Sequence, residues 1–81
     1  PITSGNTTFR FFVENATSKV IVRIYDAAGF LVEENLELLN PLVNEYNEIS
    51  WNNIQLDAGL YLAEVKPDIG NSELIRLVFI R

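Results

Sequence analysis

Among 81 residues there is no cysteine, no methionine and no histidine. The first absence removes disulfide staples and thiol nucleophiles, the second a soft thioether ligand, and the third the one side chain whose ordinary pKa sits near neutrality. Most compact enzyme chemistry loses its usual groups with them. Positive charge is also scarce: six Lys and Arg stand against eleven Asp and Glu, a net charge of −5, which opposes a phosphate backbone or an anionic membrane surface. The chain is therefore read as having no nucleic-acid partner. No stretch approaches the roughly 18 consecutive apolar residues of a transmembrane helix. The opening PITSGNTTFRFF lacks the basic-then-apolar order of a signal peptide, so no membrane insertion is expected. Beginning at Pro1 without an initiator Met, the chain reads as a processed piece, most simply the C-terminal part of a longer protein.

Hydrophobic residues make up 48% of the chain and charged residues 21%, a globular balance with room for one small domain covering residues 1–81. Branched and aromatic residues alternate with a two-residue period in short runs, separated by Gly, Asn, Asp and Pro clusters, which is the pattern of strands. The first run, Thr8 to Glu14, sets Phe9, Phe11 and Val13 on one face and leaves Phe12 as an apolar exception on the other. Lys19 to Asp26 is the clearest strand, with Val20, Val22 and Ile24 facing one way. Asp26-Ala27-Ala28-Gly29 is a tight-turn signature, because Asp bonds the amides that follow it and Gly accepts positive φ. Phe30 to Glu34 then returns antiparallel. In Asn35 to Glu45, Leu36, Leu38 and Leu39 fit either a continued strand or a helical turn that Pro41 stops, and the segment is read as a connection crossing between sheets.

Alternation resumes from Tyr46 to Trp51, with Asn47, Ile49 and Trp51 on one face and Trp51 as the anchor of the core. Asn52 to Gly59 is a loop pinned by Ile54 and Leu56. Leu60 to Lys66 groups Tyr61, Ala63 and Val65, and Pro67 to Asn71 is a turn. The last strand runs from Glu73 to Arg81. Its faces, Ile75, Leu77 and Phe79 against Leu74, Val78 and Ile80, are both largely apolar. Such a strand is either central in a sheet or waiting for a partner. Six to seven short strands with turns every 8 to 12 residues predict an all-β fold, an Ig-like antiparallel β-sandwich. The cysteine pair of antibody domains is missing.

Candidate chemistry gives little. Glu33, Glu34 and Glu37 fall where the chain leaves a hairpin, and Glu14, Glu45, Glu48, Glu64 and Glu73 take outward strand positions, the usual place of solvated acids. Asp57-Ala58-Gly59 has a single carboxylate and no following ligand set, so no calcium loop is read. Ser and Thr have no base to activate them, and no phosphate cradle is present. No catalytic residue, metal site or cofactor is assigned. Phe12, Tyr25, Phe30, Tyr46, Trp51 and Tyr61 would serve as a sugar-stacking platform if exposed in a row. Core and cross-strand packing is the competing use of such rings, and it argues against a small-molecule ligand.

The run Val22-Arg23-Ile24-Tyr25-Asp26-Ala27-Ala28-Gly29-Phe30-Leu31-Val32 resembles the IYD-x-x-G-x-L-V hairpin of a bacterial family of Ig-like C-terminal modules. Two relatives share it: the Ig-like domain of flagellar hook-capping proteins, and the type A C-terminal sorting domain of the type nine secretion system. Asn47-Glu48-Ile49-Ser50-Trp51 is similar to the N-x-I-x-W strand of the hook-capping relatives. The segment from Asn53 to Leu62 looks like the L-x-x-G-x-Y stretch of both, and Ile75 to Arg81 fits a closing apolar strand with a basic end. In this pattern Asp26, Gly29, Trp51, Gly59 and Tyr61 specify the fold. The family's frequent opening Asn-Pro is replaced here by Pro1-Ile2-Thr3-Ser4-Gly5-Asn6.

For the sorting relatives, the resemblance implies a non-catalytic module that ends a secreted or cell-surface protein and is recognised by the secretion machinery after passage through the periplasm. The recognition strand would be Leu74, Ile75, Arg76, Leu77, Val78, Phe79, Ile80 and Arg81. For the hook-capping relatives it implies a structural spacer or assembly domain that meets neighbouring domains of its parent. A carbohydrate-binding module is the third reading.

Overall fold

The computed structural model describes residues 5–80. Six strands account for nearly all regular structure in that span: β1 (Thr7–Val13), β2 (Lys19–Asp26), β3 (Leu31–Leu39), β4 (Glu45–Trp51), β5 (Gly59–Pro67) and β6 (Glu73–Phe79). They form two antiparallel sheets, a pair β1-β4 and a four-stranded sheet in the order β3-β2-β5-β6. Consecutive strands cross from one sheet to the other at β1 to β2, β3 to β4 and β4 to β5, which is Ig-like sandwich connectivity.

Alternation places the core. Phe9, Phe11 and Val13 of β1 and Asn47, Ile49 and Trp51 of β4 are buried against Val20, Val22 and Ile24 of β2, Tyr61, Ala63 and Val65 of β5, and Leu77 and Phe79 of β6. At one end the filling is aromatic. Trp51 stacks on Phe9 with ring centroids 6.3 Å apart and meets the edge of Phe79 at 5.9 Å. Phe79 in turn meets Tyr61 at 5.1 Å. The Tyr61 hydroxyl donates to the Asp57 carbonyl at 2.9 Å, a ring buried at the start of a strand with its polar tip tied to the loop just upstream. That is the tyrosine corner of Ig-like sandwiches.

The β2-β3 turn is held as its residue types dictate. Gly29 donates to the Asp26 carbonyl at 3.0 Å, and the Asp26 carboxylate accepts from the amides of Ala28 and Phe30. Gly29 adopts φ 90° with open space where a Cβ would stand, so a side chain there meets a backbone penalty without a clash.

Beyond the turn the structure departs from the reading above. β3 continues through Leu39, and the crossing between sheets is confined to residues 40–44. The pairing with β2 shifts between Val22 and Ile24 and again between Ile24 and Tyr25. Those irregularities absorb extra residues of β3 and keep Val32, Leu36 and Leu38 packed on the core. Val32, Leu36 and Leu38 keep one two-residue parity across Asn35, and the alternation is broken only at Glu33 and Glu34, between the two shifts. The short crossing is possible because Asn40 and Asn44 take φ of 52° and 60°, a left-handed backbone that Asn tolerates better than most residues. Their amides bond Ser18 O and Val13 O at 2.9 and 2.7 Å.

Since no backbone ladder joins the sheets among the described residues, the contact is made by side chains, with Trp51 reaching Phe79 across it. Trp51→Ala is expected to cost about 3 to 5 kcal/mol, a large share of the stability of a small domain; urea titration followed by circular dichroism measures it.

Candidate functional site

The edge strands hold the available surface. In the four-stranded sheet these are β3 and β6. β3 is interrupted by its register shifts and carries Glu33, Glu34 and Glu37, the charges and bulges that keep an edge from recruiting another strand. β6 has no such guard. It pairs with β5 in unbroken register from Val65↔Glu73 to Gly59↔Phe79, contains no proline, and carries one charge in its interior, Arg76. The alternative left open by its two apolar faces is thereby decided: among the described residues β6 is an edge.

Its inward residues Leu77 and Phe79 are buried and Ile75 is half-buried. Outward, Leu74, Val78 and the following Ile80 are 62%, 41% and 48% exposed. The apolar surface extends onto β5, where Leu60 lies opposite Val78 and Leu62 opposite Arg76. Beside them Tyr25 and the Asp26 to Gly29 turn complete a shallow hollow of about 370 Å³. Farther along the same face the Arg23 guanidinium pairs with Glu64 at 3.7 Å.

The residues named from the sequence gather around this strand. Asp26 lies opposite Tyr61 in the β2-β5 pairing, Gly59 lies opposite Phe79, and Trp51 and Tyr61 both touch the Phe79 ring. Leu74 to Phe79 form β6 with its entry, Ile80 follows it, and Arg81 lies outside the described residues. The six aromatics considered as a platform are divided. Trp51 and Tyr61 are in the core, and Tyr25 lies on the outer face of the large sheet. Phe30 is 71% exposed in the hairpin turn. Phe12 and Tyr46 pair edge to face at 5.3 Å on the outside of the small sheet, with the Arg10 guanidinium 4.3 Å from the Tyr46 centroid. Among the described residues no group of three or more Asp and Glu is disposed to hold a metal ion.

Two polar residues position the frame, and neither was assigned a role from the sequence. Asn47 is buried on the core face of β4. Its Oδ1 accepts from the Leu42 amide at 2.8 Å, and its Nδ2 donates to the carbonyls of Leu42 at 2.8 Å and Glu45 at 3.2 Å. The signal was present: an amide side chain at an inward position must find backbone partners. Asp68, in the turn entering β6, accepts at Oδ1 from the amides of Ser18 and Lys19 and at Oδ2 from the Ser18 hydroxyl. Its own amide donates to Lys19 O at 3.0 Å. The turn before β6 is thus tied to the chain entering β2, a contact across 50 residues that no local pattern announces.

The Ser18 hydroxyl hydrogen bond, aided by the backbone amides, holds the Asp68 carboxyl below its ordinary value. A depressed folded-state pKa stabilises the fold above the unfolded-state value and is lost as pH falls through the folded one. Asp68→Asn is therefore expected to flatten the acid side of the melting-temperature profile below about pH 4 relative to the unsubstituted protein. Thermal melts at stepped pH check it. Asn47→Ala strips the partners from the Leu42 amide and carbonyl and should cost about 1 to 3 kcal/mol by urea titration. Comparison with models of protein families, with curated proteins and with solved structures finds no match to this chain.

Proposed function

We propose that this chain is a non-catalytic sorting or anchoring module of a secreted or cell-surface bacterial protein, and that a protein of the type nine secretion machinery reads it along β6. The observation that carries the reading is the open edge of β6, with Leu74, Val78 and Ile80 exposed beside it. An extended partner segment gains main-chain hydrogen bonds from such an edge and selectivity from alternate side-chain positions. The resemblance of the IYD-x-x-G-x-L-V hairpin and the L-x-x-G-x-Y segment supplies the class of partner. The lack of imidazole and thiol groups supports a role without catalysis.

The test is a fusion of residues 1–81 to a signal peptide and a fluorescent reporter in a bacterium with a type nine system. Deleting β6 would remove Leu77 and Phe79 from the core, so the informative variant is Leu74→Lys/Val78→Lys, which alters only outward positions. Surface delivery of the intact fusion is expected, with at least about a tenfold loss in a variant that still folds, as one apolar contact is worth roughly that factor. Periplasmic retention of the intact, folded fusion would reject sorting and leave the structural spacer of the hook-capping kind.

A further inference from the structure

We infer that β6 is self-complementary and that two copies of this chain pair through it, edge to edge and antiparallel, joining their four-stranded sheets into one. As sequence, ELIRLVFIR is nearly symmetric about Leu77: Glu73 matches Arg81 in opposite charge, Leu74 matches Ile80 and Ile75 matches Phe79 in apolar character, and the symmetry is broken only at Arg76 against Val78. A two-fold axis in an antiparallel strand pair sets each residue against its mirror position, and this near-symmetry makes those pairs compatible.

Packing selects the register. Odd shifts set the outward row of one copy against the inward row of the other and are excluded by the two-residue period. With Arg76 at the axis, two guanidinium groups stand opposite each other, which like-charge repulsion disfavours. With Val78 at the axis, Arg76 falls against Ile80 and Leu74 lies three positions beyond the partner's β6, against one with Leu77 at the axis. Leu77 at the axis leaves the exposed Leu74 against the exposed Ile80 twice, and sets the aliphatic stem of Arg76 along Val78. The remaining strands offer no equivalent. β3 is bulged and acidic, β4 carries Glu45 and Glu48, and β1 is centred on Arg10, which a two-fold there would set against itself.

The inference concerns the same edge as the proposed function, but it names a different occupant and is measured on the isolated chain. Because the sequence has no cysteine, introduced thiols report the register directly. In Leu74→Cys/Ile80→Cys the two thiols of one copy are six residues apart along a strand, about 20 Å, too far for a disulfide, whose Cα atoms lie within about 7 Å. In the inferred dimer each meets its counterpart. Mild oxidation is expected to give a covalent dimer from this variant, little from either single variant, and little from Leu74→Cys/Val78→Cys, which reports the register with Arg76 at the axis. Sedimentation of the unsubstituted chain should show concentration-dependent dimers that Val78→Lys weakens by about tenfold, the equivalent of one apolar contact.

A chain that stays monomeric to about millimolar concentration, the weak end of measurable association, would overturn the inference. So would equal cross-linking of the two double variants. A monomer whose reporter fusion still reaches the surface would leave sorting standing without the dimer, and a dimer whose fusion stays in the periplasm would do the reverse.

Discussion

The contact between the two sheets is made by side chains, and every other feature depends on it. The pair β1-β4 shares no ladder with the sheet β3-β2-β5-β6, and with no cysteine in the chain nothing covalent crosses the interface except the connecting loops. What holds the layers is the apolar filling between them, strongest where Trp51, Phe9, Phe79 and Tyr61 meet ring to ring. Non-directional burial supplies the attraction, and ring geometry supplies the definite arrangement. A domain this size buries a smaller fraction of its surface than a large one, so few residues carry the load.

Polar groups at the ends of the sandwich then turn a packed pair of sheets into a specific fold. Asn47 closes the loop after Pro41 by satisfying Leu42 on both sides. Tyr61 ties its ring to Asp57, and Asp68 ties the entry of β6 to Ser18 and Lys19. Each of these joins a loop to a strand, where unpaired backbone groups would otherwise be left by the end of a ladder. Among described residues that are not exposed, no buried side-chain nitrogen or oxygen is left without a partner. The framework is therefore satisfied internally, and the outer face of β6 and β5 is an exposed apolar strip that runs along a free strand edge. On this molecule the candidate surface is a strip of backbone and alternate side chains. Both the proposed sorting role and the inferred pairing use that strip through the same physics, main-chain hydrogen bonds with apolar side chains flanking them.

Much of the fold was legible one strand at a time. Lys19 to Asp26 is a strand over its full predicted length, and the inward rows Phe9, Phe11, Val13 and Val20, Val22, Ile24 are buried as their alternation demands. Local chemistry sufficed there, since burial of one face and the two-residue period are properties of the segment itself. The reading failed after Glu34, where the segment taken as a connection is the second half of β3, paired with β2 from Leu36 to Leu39 beyond two register shifts. A bulge is negotiated with the neighbouring strand and leaves no periodic trace.

The sequence by itself determined the class of fold, the core rows and the turn at Asp26 to Gly29, because each follows from side-chain type and spacing within a few residues. It also determined that β6 would be apolar on both faces. Only the tertiary structure decided that this strand lies at an edge, that Asp68 staples the β5-β6 turn to Ser18, and that Trp51, Tyr61 and Phe79 converge behind β6. Those outcomes depend on which strands become neighbours, and strand order is set by the cheapest joint burial of all six strands, a property that no single segment carries.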